Sequence, residues 1–168
     1  MTGDLGTARP SRRPGTAMTI DGMTTTNTLD TNKQLAVHWL ELVGAGDVHA
    51  ICALTAPDWT MAGGPPDLPT GPDGVRALFA TFGEITQTWQ IHDVLAEGDR
   101  VAVRATNRCV QDSFLGVPAA GIEQVFTATF IFQITDGLVR RVWRNAEDLQ
   151  RLLQLGARIV PSTADPAR

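Results

Sequence analysis

The strongest constraint on this chain lies between residues 87 and 144, where long strand-like runs are joined by turns too short to hold another element. Gly98-Asp99 and Asp136-Gly137 are two-residue hairpin signals. They divide runs at about 87–97, 100–110, 123–134 and 138–144, the third dense in β-branched and aromatic residues. Strands joined this tightly pair antiparallel, so the segment predicts a four-stranded meander broken only by a loop from Ser113 to Gly121.

Ahead of Thr86 the period changes to that of a helix. Leu35, Trp39, Leu42 and Val43 fall on one stripe and Lys33, Gln34, His38 and Glu41 elsewhere. This predicts a helix with Asp30 as N-cap and Gly44 as stop. Asp47 caps a short second helix carrying Ile51 and Leu54. Trp59 and Met61 mark a short strand, Gly63 to Gly71 a loop, and Pro72 opens a third helix burying Val75, Leu78, Phe79 and Phe82. Asn145 caps a last helix bearing Leu149, Leu152, Leu153 and Leu155, which stops at Gly156. Together these predict one α+β domain over residues 30–156: a curved antiparallel sheet wrapped around a long N-terminal helix, with an internal pocket. Residues 1–29 and 157–168 read as a disordered leader and a flexible tail.

Charge and cysteine usage narrow the function classes. A net charge of −4 and no basic block with interleaved aromatics argue against nucleic acid. No apolar run is long enough to span a bilayer, and Arg12-Arg13 are not followed by an apolar segment, so a cytoplasmic protein is expected. Cys52 and Cys109 lack metal-type spacing and read as reduced thiols.

Three stretches carry a family likeness. They are the hairpin Ile91-His92-Asp93-Val94-Leu95-Ala96-Glu97-Gly98-Asp99-Arg100-Val101, the loop Phe114-Leu115-Gly116-Val117-Pro118 with Gly121, and Asp136-Gly137 followed by Trp143 and the helix ending Leu155-Gly156. In this order and spacing, residues from about Asn32 to Gly156 resemble the SnoaL-like polyketide cyclase family of the nuclear transport factor 2-like superfamily. The resemblance implies a cone-shaped α+β barrel with an internal pocket and a homodimer through the outer sheet face. It implies cofactor-independent enzymes that close rings by intramolecular aldol chemistry, beside hydroxylase-like, isomerase-like, epoxide-opening and ligand-binding relatives.

The chain departs from that pattern where the chemistry sits. Arg144 stands where the cyclases place a catalytic aspartate, Phe130 where they place a histidine, and Ala62 where many relatives carry another. An arginine stays charged and cannot accept a proton in an aspartate's place. The sequence holds no tyrosine, so enolisation of the steroid-isomerase type, which uses one, is not expected.

Alternation about Gly98-Asp99 puts His92, Asn107 and Cys109 on the face of Val94, Val101, Val103 and Ala105, so His92 and Asn107 are expected in the pocket. Arg144 would stabilise negative charge and His92 would move a proton. A family-typical histidine bonded to the sheet, and a surface arginine paired with Glu147 or Asp148, are the bland alternatives. Glu147 reads as a helix-start residue, and Glu123 and Gln124 as solvated. Trp39, Trp59, Met61, Phe79, Phe82 and Phe130 are the expected apolar lining. The expectation is a cofactor-independent enzyme, with no metal, that cyclises or isomerises a hydrophobic polyketide-like molecule. A non-catalytic ligand-binding protein and an epoxide-opening enzyme are the alternatives. Neither nucleic acid nor membrane is an expected partner.

Overall fold

The computed structural model describes residues 21–160, with backbone alone for residues 21–26. Helices α1 (Asp21–Ala45) and α2 (Val48–Ala53) precede strand β1 (Thr55–Ala62) and helix α3 (Gly71–Ala80). Then come β2 (Ile85–Glu97), β3 (Arg100–Gln111), the short β4 (Ser113–Phe114) and β5 (Val117–Pro118), β6 (Gln124–Thr135), β7 (Leu138–Ala146) and α4 (Asp148–Gln154).

The four long strands form the meander that the turns predict, in the order β7-β6-β3-β2. Asp136 and Gly137 both take positive φ, 54° and 72°, as a tight right-twisted hairpin requires. The sheet is not wholly antiparallel, however. Strand β1 joins its edge parallel to β7, with Thr60 opposite Arg141 and Ala62 opposite Trp143. No tight turn links β1 to its neighbour, so no turn signal in the sequence announces its direction.

Alternation on β6 is unbroken, and Phe126, Ala128, Phe130, Phe132 and Ile134 are buried on its inner side. Val101, Val103 and Ala105 of β3 continue this concave face. Helix α1 packs into it with Trp39 edge-on to Phe132, ring centroids 5.6 Å apart. Helix α3 packs on β1 at a point only glycine permits: a Cβ on Gly74 would stand 2.1 Å from the Pro69 carbonyl oxygen and 2.8 Å from the Trp59 ring. The result is the α+β cone of a curved, unclosed sheet around the N-terminal helix.

Three boundaries differ from expectation. Helix α1 begins at Asp21, upstream of Asp30, which pairs with Lys33 on the helix surface at 3.2 Å. Thr31 Oγ1 donates back to the Asn27 carbonyl at 2.8 Å, so this polar turn stays helical by satisfying its hydroxyl within the helix. The rest of the expected leader, residues 1–20, and residues 161–168 of the tail lie outside the described residues. Strand β7 continues through Asn145 to Ala146, and Glu147, not Asn145, holds the N-cap position of α4. Helix α4 is also turned: Leu149 and Leu153 are exposed while Arg151 is buried. Among the described residues no helix is long and apolar enough to cross a membrane.

Candidate functional site

A cavity of about 650 Å³ opens between α1, α3, the hairpin β4–β5 and the concave sheet face. That size suits a drug-sized molecule. Its walls include Trp39, Leu40, Met61, Phe79, Phe82, Trp89, Phe126 and Phe130. A more open groove of about 760 Å³ adjoins it, sharing Phe79, Phe82, Ile85, Gln87 and Gln111. The charged residues lining the first cavity are Arg144, Asp148 and Arg151.

Arg144 reaches the cavity because of a β-bulge. The β6–β7 ladder shifts between Gln133 and Ile134, so Arg140 and Arg141 together span one register step and Val139 and Val142 are both buried. Arg144 lies two residues beyond Val142 and faces the same way. Its guanidinium donates to both oxygens of Asp148, at 2.7 and 2.6 Å, and to the Gly63 carbonyl at 3.1 Å. Gly63 has φ of 76°, and a Cβ there would fall 1.9 Å from the Arg144 carbonyl oxygen. Glycine is therefore what lets the end of β1 close against the strand that carries Arg144.

Arg151 gave no functional signal in the sequence. Its side chain is 7% exposed and its guanidinium lies between two rings, 3.5 Å from the centroid of Phe114 and 4.2 Å from that of Phe126. Nε and Nη2 donate to Gln124 Oε1 at 3.3 and 3.2 Å, and Nη2 also to Cys109 Sγ at 3.7 Å. Burial pulls its pKa down, against the pull of Cys109 and Asp148, yet a guanidinium stays charged. Burial likewise pushes the Cys109 thiol up, partly offset by Arg151 beside it. The nearest Asp148 oxygen is 3.9 Å from Arg151 Nη1 and is already bonded to Arg144.

Asn107 is fully buried in the cavity wall. Gln87 Nε2 donates to the Val43 carbonyl at 3.0 Å, and Asn107 Nδ2 donates to Gln87 Oε1 at 3.1 Å. A backbone carbonyl only accepts, so this relay fixes the orientation of both amides. It leaves Asn107 Oδ1 without a partner among the described residues.

Two expected site residues lie elsewhere. His92 is exposed on the outer sheet face, its Nε2 2.8 Å from Thr106 Oγ1. The β2–β3 ladder shifts between Ile91 and Asp93, and this bulge turns His92 out while Ile91 and Val94 stay opposite inner residues. Trp59 is fully buried beneath α3 and does not border the cavity. Trp39, Met61, Phe79, Phe82 and Phe130 do border it. Gln124, expected in solvent, is fully buried against Arg151. Its signal was present, since Gln124 shares the parity of Phe126, Ala128 and Phe130. Among the described residues no three His, Cys, Asp or Glu side chains converge to hold a metal.

With cone and cavity in place, the comparisons with known proteins are specific. The sequence profile of the SnoaL-like domain matches residues 36–142, so the chain belongs to the SnoaL-like domain family. TsrD from Streptomyces laurentii is similar in structure, with 28% identity, a TM-score of 0.66 and coverage of 76% of this chain and 96% of that one. IdmH from Streptomyces antibioticus, a proposed polyketide cyclase, has 25% identity, a TM-score of 0.60 and coverage of 75% and 99%. An LEH-like epoxide hydrolase of M. tuberculosis shares the fold at 16% identity, with a TM-score of 0.62 and coverage of 76% and 91%. Among curated proteins none matches the sequence.

Proposed function

We propose that this protein is a cofactor-independent enzyme that cyclises or isomerises a hydrophobic, polyketide-like small molecule. The observation that carries the reading is a largely apolar cavity whose charged lining consists of two guanidiniums sharing one carboxylate. The likeness to IdmH supports the choice of substrate class. In ring closure the substrate enters with its acidic proton already lost to solvent, and its enolate carbon attacks a carbonyl within the same molecule as that carbonyl's π bond breaks. A C–C bond forms, and the charge passes to the carbonyl oxygen, which water at the cavity mouth then protonates. A guanidinium held in place by its neighbours on a largely apolar wall stabilises that charge at little reorganisation cost. Apolar walls hold the chain of the substrate folded so that its ends meet. His92 takes no part, because it lies across the sheet.

The test is turnover of linear aromatic polyketide precursors without added cofactor, followed by liquid chromatography and mass spectrometry. The reading predicts an isomeric or dehydrated ring product, with the rate lowered at least about tenfold in Arg144→Ala or Arg151→Gln. A second reading, a non-catalytic binding protein, is favoured by one observation: the cavity is lined by no histidine, and both oxygens of its carboxylate are held by Arg144. Tight binding without turnover would select it. Epoxide opening wants a pair of carboxylates near an arginine, and the lining of this cavity holds one, Asp148; heavy-oxygen label from water in the product would restore that option. A dimer through the outer sheet face belongs to the same proposal, and light scattering checks it.

A further inference from the structure

Resting on that reading of the cavity, we infer that its ligand arrives as an anion, an acidic enol, phenol or carboxylic acid on a flat apolar body, and that Arg151 is the residue that recognises it. Arg144 and Arg151 bring two positive charges to the lining and Asp148 one negative charge, so the wall carries an uncompensated cation. Asp148 gives its short, two-point contact to Arg144 and stands 3.9 Å from Arg151. Burial of an unneutralised charge is costly unless something completes it.

The other neighbours of Arg151 are the amide oxygen of Gln124, the thiol of Cys109 and the two rings, all uncharged or held neutral by burial. They position the guanidinium without discharging it. The donors at Nε and Nη2 are engaged, while among the described residues Nη1 makes no hydrogen bond, only the 3.9 Å ion pair. The polar groups gather on one patch of the inner face: Asn107 and Cys109 lie two apart on β3, with Gln124 opposite Cys109 on β6. Apolar side chains such as Leu40, Phe82 and Phe130 line the rest, so the cavity is amphiphilic in the sense of an apolar acid. For an acidic enol or phenol this also accounts for the lack of a base, since its conjugate anion, formed in solution, is already the carbon nucleophile.

Two fluorescent probes with the same rings decide the matter. Anilinonaphthalene sulfonate carries an anion, and phenylnaphthylamine lacks it. Binding is titrated on the full chain in moderate salt. The anion is expected to bind at least about tenfold more tightly, as one hydrogen bond to a charged group allows. The neutral probe is expected to displace it, which places both in one site. Arg151→Gln should abolish the preference and leave the neutral probe's affinity unchanged. Arg151→Lys should keep part of the preference. Arg141→Gln, on the outer face, should change neither. Equal affinities in the native protein, failure of displacement, a preference kept in Arg151→Gln, or a preference lost in Arg141→Gln would each overturn the inference. Binding of the neutral probe with no anion preference would leave the apolar cavity reading standing; binding of neither probe would remove that reading too.

Discussion

The guanidinium of Arg151 stands 3.5 Å from the centre of the Phe114 ring, and this contact ties the hairpin β4–β5 to helix α4 across the cavity mouth. The hairpin is small, since each of its strands is two residues long and Leu115 at its tip is exposed with φ of 48°, and its base is held by Gln111 Nε2 donating to the Ser113 carbonyl at 2.6 Å. Phe114→Ala is expected to cost about 1–2 kcal/mol, from the lost cation–π contact and ring burial. Thermal melting measures that loss. Hydrogen exchange at the Ala119 amide, bonded to the Asp112 carbonyl at 2.9 Å, should accelerate with it.

Gly63→Ala should be among the most damaging single changes at the site. The added methyl meets the Arg144 carbonyl oxygen at 1.9 Å, on a backbone with positive φ. The end of β1 must then separate from β7, and the expected loss exceeds about 2 kcal/mol. Chemical denaturation reads the loss, and probe binding by the folded fraction reads whether Arg144 has moved.

The relay from Val43 through Gln87 to Asn107 is predicted to couple energetically. Asn107→Ala leaves the Gln87 amide oxygen unpaired in a half-buried site and should cost about 1–3 kcal/mol. Gln87→Ala should cost less once Asn107 is already gone. A double-mutant cycle with Gln87→Ala measures the coupling, expected near 1 kcal/mol.

Cys109 makes stability depend on alkaline pH. Its folded-state pKa is raised by burial, so the thiol ionises first in the unfolded chain. Its contribution to stability is complete below the ordinary thiol range, near pH 8.5, and is lost as pH rises above it through the folded pKa. Denaturation midpoints measured from pH 7 to 10 should fall on the alkaline side. Cys109→Ala should flatten that part of the curve.

What could be read from sequence divides along a physical line. The tight turns at Gly98-Asp99 and Asp136-Gly137 fix local pairing, so the meander was legible from them. Strand β1 was legible as a strand and its parallel direction was not, because its partner lies far along the chain. Two bulges decided the candidate site. Strict alternation sent His92 inward and left the facing of Arg144 open, whereas the inserted residues turn His92 out and bring Arg144 in. A bulge adds one residue without altering composition, so alternation alone does not reveal it. Arg151 was hidden for another reason. Four leucines suggest the buried side of α4, yet two of them face solvent and the arginine takes the interior, where the Phe114 and Phe126 rings receive it.

The most direct test of the account is native mass spectrometry of the protein purified gently from the cells that produce it. The account predicts a co-purifying apolar small molecule that bears an acidic oxygen, is released on denaturation and is lost in Arg151→Gln. A protein that carries nothing, and takes up nothing from an extract of those cells, would contradict it.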